Sequence, residues 1–161
     1  MKIRVATLSD AKEICKIMNA IVKTSDISAS KTTTKKEKEI LSLLTNRETV
    51  FVLKDENKIV GLQSLHLLAK DMPLMSHVGE VDTYLLPRYQ RKGFGKKLFA
   101  TTLKFAKAHN YGKVMVFVRS DNKASLAFHK NLGFKQAGIF TKQIKLRKKY
   151  VDEIALELLI K

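Results

Sequence analysis

The stretch "YQRKGFGKKLFATTLKFA", Tyr89 to Ala106, sets Arg91, Lys92, Lys96 and Lys97 around Gly93 and Gly95, directly ahead of an apolar run. Leu98, Phe99, Leu103, Phe105 and Ala106 recur at helical period, which predicts a helix from Gly95 to about His109. A helix start leaves several N–H groups without partners and carries an effective charge of about +0.5. Glycines let an oxyanion approach those amides closely, because no Cβ intervenes and left-handed dihedrals cost nothing extra. Bare amides, a dipole and four cations at one point make an anion site.

The flanks give this turn its setting. Residues 78–85, "VGEVDTYL", read as a strand that stops at Pro87, whose missing N–H ends a ladder. After the helix comes "KVMVFV", 113–118, a buried-looking strand, so strand, helix and strand imply a parallel pair with a right-handed crossover. "NKASLAFHKNL" then predicts a shorter helix ended by Gly133, and two last strands lie near 134–140 and 150–159.

Upstream, "KIRVA" at 2–6 alternates as a short strand. Ser9 offers a cap for a helix over about 10–23, with Ile14, Met18, Ile21 and Val22 as its apolar stripe. Thr34 and Glu37 match a capping box for a second helix to about Leu44. Residues 49–54 and 58–68 read as an antiparallel pair around an Asp55–Asn57 turn. The expected fold is a mixed α/β (α+β) sheet of about seven mostly antiparallel strands with a parallel central pair, and four helices.

The chain has 161 residues, 45% hydrophobic and 29% charged, with no solenoid-length repeat or linker tract, which predicts a single domain over 1–161. The charged start and the lack of a run of ~20 uncharged residues give the expectation of a cytoplasmic protein without membrane spans. Cys15 falls among Ile14, Met18 and Ile21 and reads as a small core hydrophobe. His66, His77 and His109 show no metal-ligand spacing with one another or with Cys15, so no metal is expected. Lys and Arg number 31 against 15 acids, a formal charge of +16 that draws anions. The run "TKQIKLRKK" carries five of these cations but has no interleaved aromatic, so it reads as a solvated hairpin rather than an RNA-binding face.

Two familiar phosphate motifs fail on inspection. "GFGKKL" lacks the third glycine of a dinucleotide fingerprint, and a Walker loop fails because Gln90 stands for Gly and Lys97 for Ser or Thr. The pattern that fits is Q-x-x-G-x-G, Gln90 to Gly95, followed one strand later by "NKASLAFHKNLGF", Asn122 to Phe134. In this arrangement the chain resembles the GNAT superfamily of N-acetyltransferases. "IRVATLSDAKEICKIMNAIVKTSDIS", "GEVDTYL", Ser125 and His129 are most similar to its phosphinothricin-type branch, which acetylates small acidic amino-acid analogues. "TKQIKLRKKYVDEIALELL" departs from it by lacking the aromatic, glycine-containing segment before the last strand.

The resemblance implies an acetyl-CoA-dependent enzyme that moves an acetyl group to a primary amine in a ternary complex. It implies that the pyrophosphate rests on Gln90, Arg91, Lys92, Gly93, Phe94, Gly95 and Lys96. It puts the oxyanion contact on main-chain N–H around Leu85 and Leu86, where a bulge is expected. Glu80, Tyr84 and His129 form the catalytic set: Glu80 as base, directly or through water, and His129 where most of the superfamily has a tyrosine beside the leaving thiolate. Alternation puts Glu80, Asp82 and Tyr84 on one strand face, so Asp82 stands as the other candidate base. Asn122 suits the pantetheine arm and equally a plain N-cap.

The acceptor is expected to be a small amino-acid-like amine, with zwitterionic or acidic ones favoured by the +16 field. The rivals are a protein N-terminus or lysine as acceptor, and a non-catalytic basic module bound to nucleic acid or ribosomes. A homodimer is compatible with all of these.

Overall fold

The computed structural model describes residues 1–24, 42, 44, 45, 47–146 and 149–161. The helix expected at 34–44 therefore falls mostly outside the described residues. Seven strands form one sheet: β1 (Lys2–Val5), β2 (Thr49–Asp55), β3 (Lys58–Leu67), β4 (Val78–Leu85), β5 (Lys113–Arg119), β6 (Lys135–Leu146) and β7 (Lys149–Leu159). Their spatial order is β1-β2-β3-β4-β5-β7-β6. All neighbours are antiparallel except β4 and β5, which pair in parallel as expected. Three α-helices are described: α1 (Ala11–Thr24), α2 (Phe94–Ala108) and α3 (Lys123–Asn131). Among the described residues, no helix is long and apolar enough to cross a membrane.

The helices take opposite faces. Ile14, Ile17 and Met18 of α1 bury against Val50, Val52 and Leu62, with Tyr84 partly buried beside them and Cys15 in the same cluster. On the other face Phe99 and Ala106 of α2 pack on Val81, Val114, Val116 and Val118, joined by Leu126 and Leu132 of α3. A third cluster, Phe51, Leu53, Val60, Tyr89 and Leu98, closes the end of the sheet where the chain turns from β4 into α2. Period-2 alternation assigns every other strand residue to one of these layers.

Two boundaries differ from expectation for local reasons. Ser9 does not cap α1; a 3₁₀ turn, Leu8–Asp10, precedes the helix, and the buried Asp10 carboxylate takes the Thr7 N–H at 2.7 Å and its hydroxyl at 2.9 Å. The last hairpin is longer than expected: β6 runs on past Phe140 because Lys142, at φ 53°, gives its N–H to Asp152 at 2.7 Å and lets pairing resume at Ile144.

Candidate active site

β4 and β5 pair only from Val78/Lys113 to Glu80/Met115, although β4 runs to Leu85 and β5 to Arg119. Beyond Glu80 the two strands part and leave a gap in the middle of the sheet. Antiparallel ladders alternate hydrogen-bonded and non-bonded pairs. Leu86 N–H reaches Val60 O at 3.0 Å and Leu68 N–H reaches Val78 O at 3.0 Å, which fixes the even residues of β4 as those bonded to β3. The main-chain groups of Thr83 and Leu85 therefore face the gap. The expected bulge is absent, since the β3–β4 register runs without a shift from Gly61/Leu85 to Leu67/Gly79. Of the two strand-end amides anticipated for an oxyanion, Leu86 is engaged in the ladder and Leu85 is the one turned to the gap.

The turn between Leu85 and α2 is tied back onto the strand. Gln90 gives its side-chain N–H to Leu85 O at 2.9 Å, Tyr89 hydroxyl donates to Asp55 at 2.7 Å, and the Arg88 guanidinium lies over the Tyr89 ring. Arg91 at φ 57° and Gly93 at φ 79° are both left-handed and bracket Lys92, a geometry that points successive amides into one hollow. Among the described residues, the amides from Arg91 to Lys96 find no hydrogen-bond partner; the first paired one is Lys97 N–H, on Gly93 O at 3.1 Å. Arg91, Lys92, Lys96 and Lys97 are all exposed around them. The turn read from sequence as an anion cradle thus leaves a run of unpaired amides among exposed cations.

Gly95 has a second reason to be glycine. A Cβ there would stand 3.0 Å from Phe128 Cζ of α3, whereas one on Gly93 would meet nothing within 4 Å. Phe128 thus seats α3 against the start of α2, which brings the two sequence signatures together. In α3, Asn122 is an N-cap, its side-chain oxygen accepting Ser125 N–H at 3.1 Å. His129 is 4% exposed, edge-on to Phe128 and Phe134, with Nδ1 2.9 Å from Ser125 O. Burial pushes its titration below the ordinary imidazole value, against a smaller upward pull from Ser125, so the ring is neutral at pH 7.

Glu80, Asp82 and Tyr84 share the face opposite to α2. Burial, then the charges of Asp82 and Glu80, drive the Tyr84 phenol well above its usual value, so it stays a neutral hydroxyl. Glu80 stands opposite His66 across the ladder, with His66 Nε2 3.4 Å from its Oε2. One ligand-type atom from each of His66, Glu80 and Asp82 lies within 4.8 Å of the others. Burial, then the charge of Glu80, raises the Glu153 carboxyl on β7. His66 is not among the residues the sequence singles out for the site, having no metal-ligand spacing with the other histidines or with Cys15. The irregular 68–77 connection sets no register between β3 and β4, so no signal in the chain paired it with Glu80.

The arrangement sets unpaired amides and exposed cations at the end of β4, and a carboxylate–imidazole group at Glu80, where the β4–β5 pairing stops. A family model described as an acetyltransferase (GNAT) domain matches residues 3–155. The N-alpha-acetyltransferase RimI of Mycobacterium tuberculosis is 32% identical over 81 residues, 50% of this chain and 48% of that protein. The chain thus spans about half the length of that curated relative. A protein of Streptococcus mutans superposes with a TM-score of 0.89 at 27% identity over 100% of both chains. A GNAT superfamily phosphinothricin acetyltransferase from Sinorhizobium meliloti, solved in complex with acetyl-CoA, gives 0.88 at 19% identity over 99% of this chain and 88% of that one.

Proposed function

Because the chain belongs to the GNAT acetyltransferase family, we propose that it transfers an acetyl group from acetyl-CoA directly to a primary amine held beside Glu80. The observation that carries this reading is the parting of β4 and β5 next to the unpartnered amides of Arg91 to Lys96. The cradle would take the pyrophosphate, and the gap would admit the pantetheine arm toward Leu85. There the free N–H would stabilise the tetrahedral oxyanion, a kind of contact commonly worth several kcal/mol.

The acceptor arrives as an ammonium, since amine pKa values lie at ~8 to ~10.4. Glu80, directly or through water, takes one proton; the freed nitrogen attacks the thioester carbon, the C–S bond breaks with the pair leaving on sulfur, and the second proton lost by the nitrogen passes to that thiolate. The Tyr84 hydroxyl is a donor that could serve the departing thiolate, whereas neutral His129, its Nδ1–H given to Ser125 O, offers Nε2 only as an acceptor for the thiol S–H once formed.

The acceptor we favour is a small amino-acid-like amine without an added acidic group. Glu80, Asp82 and Glu153 outweigh His66 on that face and would repel a second carboxylate, which reverses the lean drawn from net charge alone. A protein N-terminus is the second reading, supported by the partial match to RimI.

A panel of glycinamide, free amino acids including glutamate, spermidine and Ala-, Ser- and Met-initiated tetrapeptides, read by thiol release from acetyl-CoA, separates these. Turnover is expected with small uncharged-side-chain amines. Glutamate as the best acceptor would overturn the substrate reading, and no acetyl-CoA uptake in calorimetry at millimolar concentration would overturn the enzyme. RNA binding that is sub-micromolar at physiological salt, with no acetyl-CoA uptake, would favour the basic-module rival.

A further inference from the structure

His66 lies on β3 directly across from Glu80, and the two share a face, so their side chains meet by register rather than by chance of rotamer. Both are partly screened from water, with side chains 22% and 25% exposed. Nε2 faces Glu80 at 3.4 Å, while Nδ1 is buried and, among the described residues, has no hydrogen-bond partner. A histidine kept only for structure would be expected to satisfy both nitrogens, because a buried unpaired polar atom costs ~1–3 kcal/mol. We propose that His66 is a positioning residue for Glu80, sharing one proton with its carboxylate and setting the pH at which that carboxylate can accept a proton from the acceptor amine. This rests on the acetyltransferase reading and on Glu80 as its base.

Every charged group packed about the ring bears on its titration. Glu80 and Asp82 face it from β4, and Glu48 from the residue before β2, where it holds Leu67 N–H at 3.1 Å and Lys70 Nζ at 2.9 Å. Glu153 of β7 stands next to Glu80. Burial works against the charged ring, yet the pull of Glu80 and the charges of Asp82 and Glu48 outweigh it, so His66 titrates above the ordinary imidazole value. Below that midpoint the ring is an imidazolium that occupies Glu80. Above it the ring is neutral, Glu80 takes the ammonium proton, and the same proton is shared with Nε2 as the N–H bond of the acceptor breaks. One proton moves from substrate nitrogen to the pair, and no electrons change hands.

Two measurements decide it. In the ¹⁵N-histidine-labelled full-length protein, with His66→Gln used for assignment, the His66 resonance should titrate above about pH 6.5. In Glu80→Gln its midpoint should fall. With the best acceptor of the panel above, kcat/KM of the wild type should decline on acidification through the His66 midpoint. In His66→Gln that limb should move to lower pH, on a plateau lowered about 10-fold. A His66 midpoint indifferent to Glu80→Gln, or a His66→Gln profile with its limb unmoved, would overturn the proposal alone. A wild-type protein that releases no thiol with any acceptor would overturn the acetyltransferase reading and this proposal with it.

Discussion

His129 shows how a single side chain can be moved away from the chemistry its type suggests. Enclosed by Phe128 and Phe134 and bonded through Nδ1 to Ser125 O, it is held neutral, so it is no standing acid at pH 7. Its Nε2 can still accept from the thiol S–H once that forms, and a thiol of pKa ~8.5 leaves fairly readily as its anion. His129→Ala should therefore slow the transfer step about 10-fold in single-turnover measurements, with no new acid limb; a loss above ~10⁴-fold would make it an essential acid. Asp10 is the opposite case, a charge kept by its surroundings. Its carboxylate takes two bonds from Arg4, at 2.6 and 2.8 Å, besides those from Thr7. The Arg4 hydrogen bond, opposed by burial and helped by Thr7, holds it far below the usual carboxylate range. Asp10→Asn should cost about 2 kcal/mol in urea unfolding at pH 7. Because the folded value is depressed, that stability is present above ~3.9 and is lost as pH falls toward the folded value, so wild type and variant should converge in acid.

Among the elements, those bounded by strong local signals were legible and those set by distant partners were not. Val78–Leu85 lies where alternation and Pro87 put it, and the parallel pairing follows from the length of the crossover. Gly133 ends α3 at φ 94°, as a glycine after a helix should. The open amides of Arg91–Lys96 were legible because their physics is local, a turn feeding a helix start. The Leu86 pairing with Val60 was not, since it depends on a β3–β4 register that no tight turn fixes. Gly95 belongs to both groups. Its use as bare backbone could be read from sequence, while its contact with Phe128 lies between two helices more than thirty positions apart. Gly95→Ala should destabilise by about 1 kcal/mol through that ring, and Phe128→Leu should recover most of it in a double-mutant cycle read by thermal unfolding. Gly93→Ala meets no atom and should instead lose about 1 kcal/mol to its left-handed backbone, with no rescue from Phe128→Leu. Equal behaviour of the two glycines in that cycle would refute the distinction.

At the scale of the whole molecule two fields of opposite sign are kept apart by the sheet. Arg88, Arg91, Lys92, Lys96 and Lys97, all exposed, cluster where substrate phosphates would arrive, around the start of α2, whereas the other face of β4 carries Glu80 and Asp82 with Glu153 near them. Composition could reveal only the sum, which is why it leaned toward acidic acceptors. Separation predicts a split response to salt. Acetyl-CoA carries several negative charges and should be steered and held by exposed lysines and Arg91, so raising KCl from about 0.05 to about 0.5 M, which shortens the screening length to a few ångströms, should raise its KM several-fold. The chemical step depends on groups sheltered in the gap and should change little. For a cationic acceptor such as glycinamide, salt screens both the long-range repulsion by the molecule and the short-range attraction of the carboxylates. The carboxylates are closer and act more strongly, so this KM should also rise with KCl. Initial rates over a grid of KCl, acetyl-CoA and acceptor concentrations measure all three. A glycinamide KM that falls as KCl rises would mean that the net charge, and not the carboxylate face, governs what the acceptor meets.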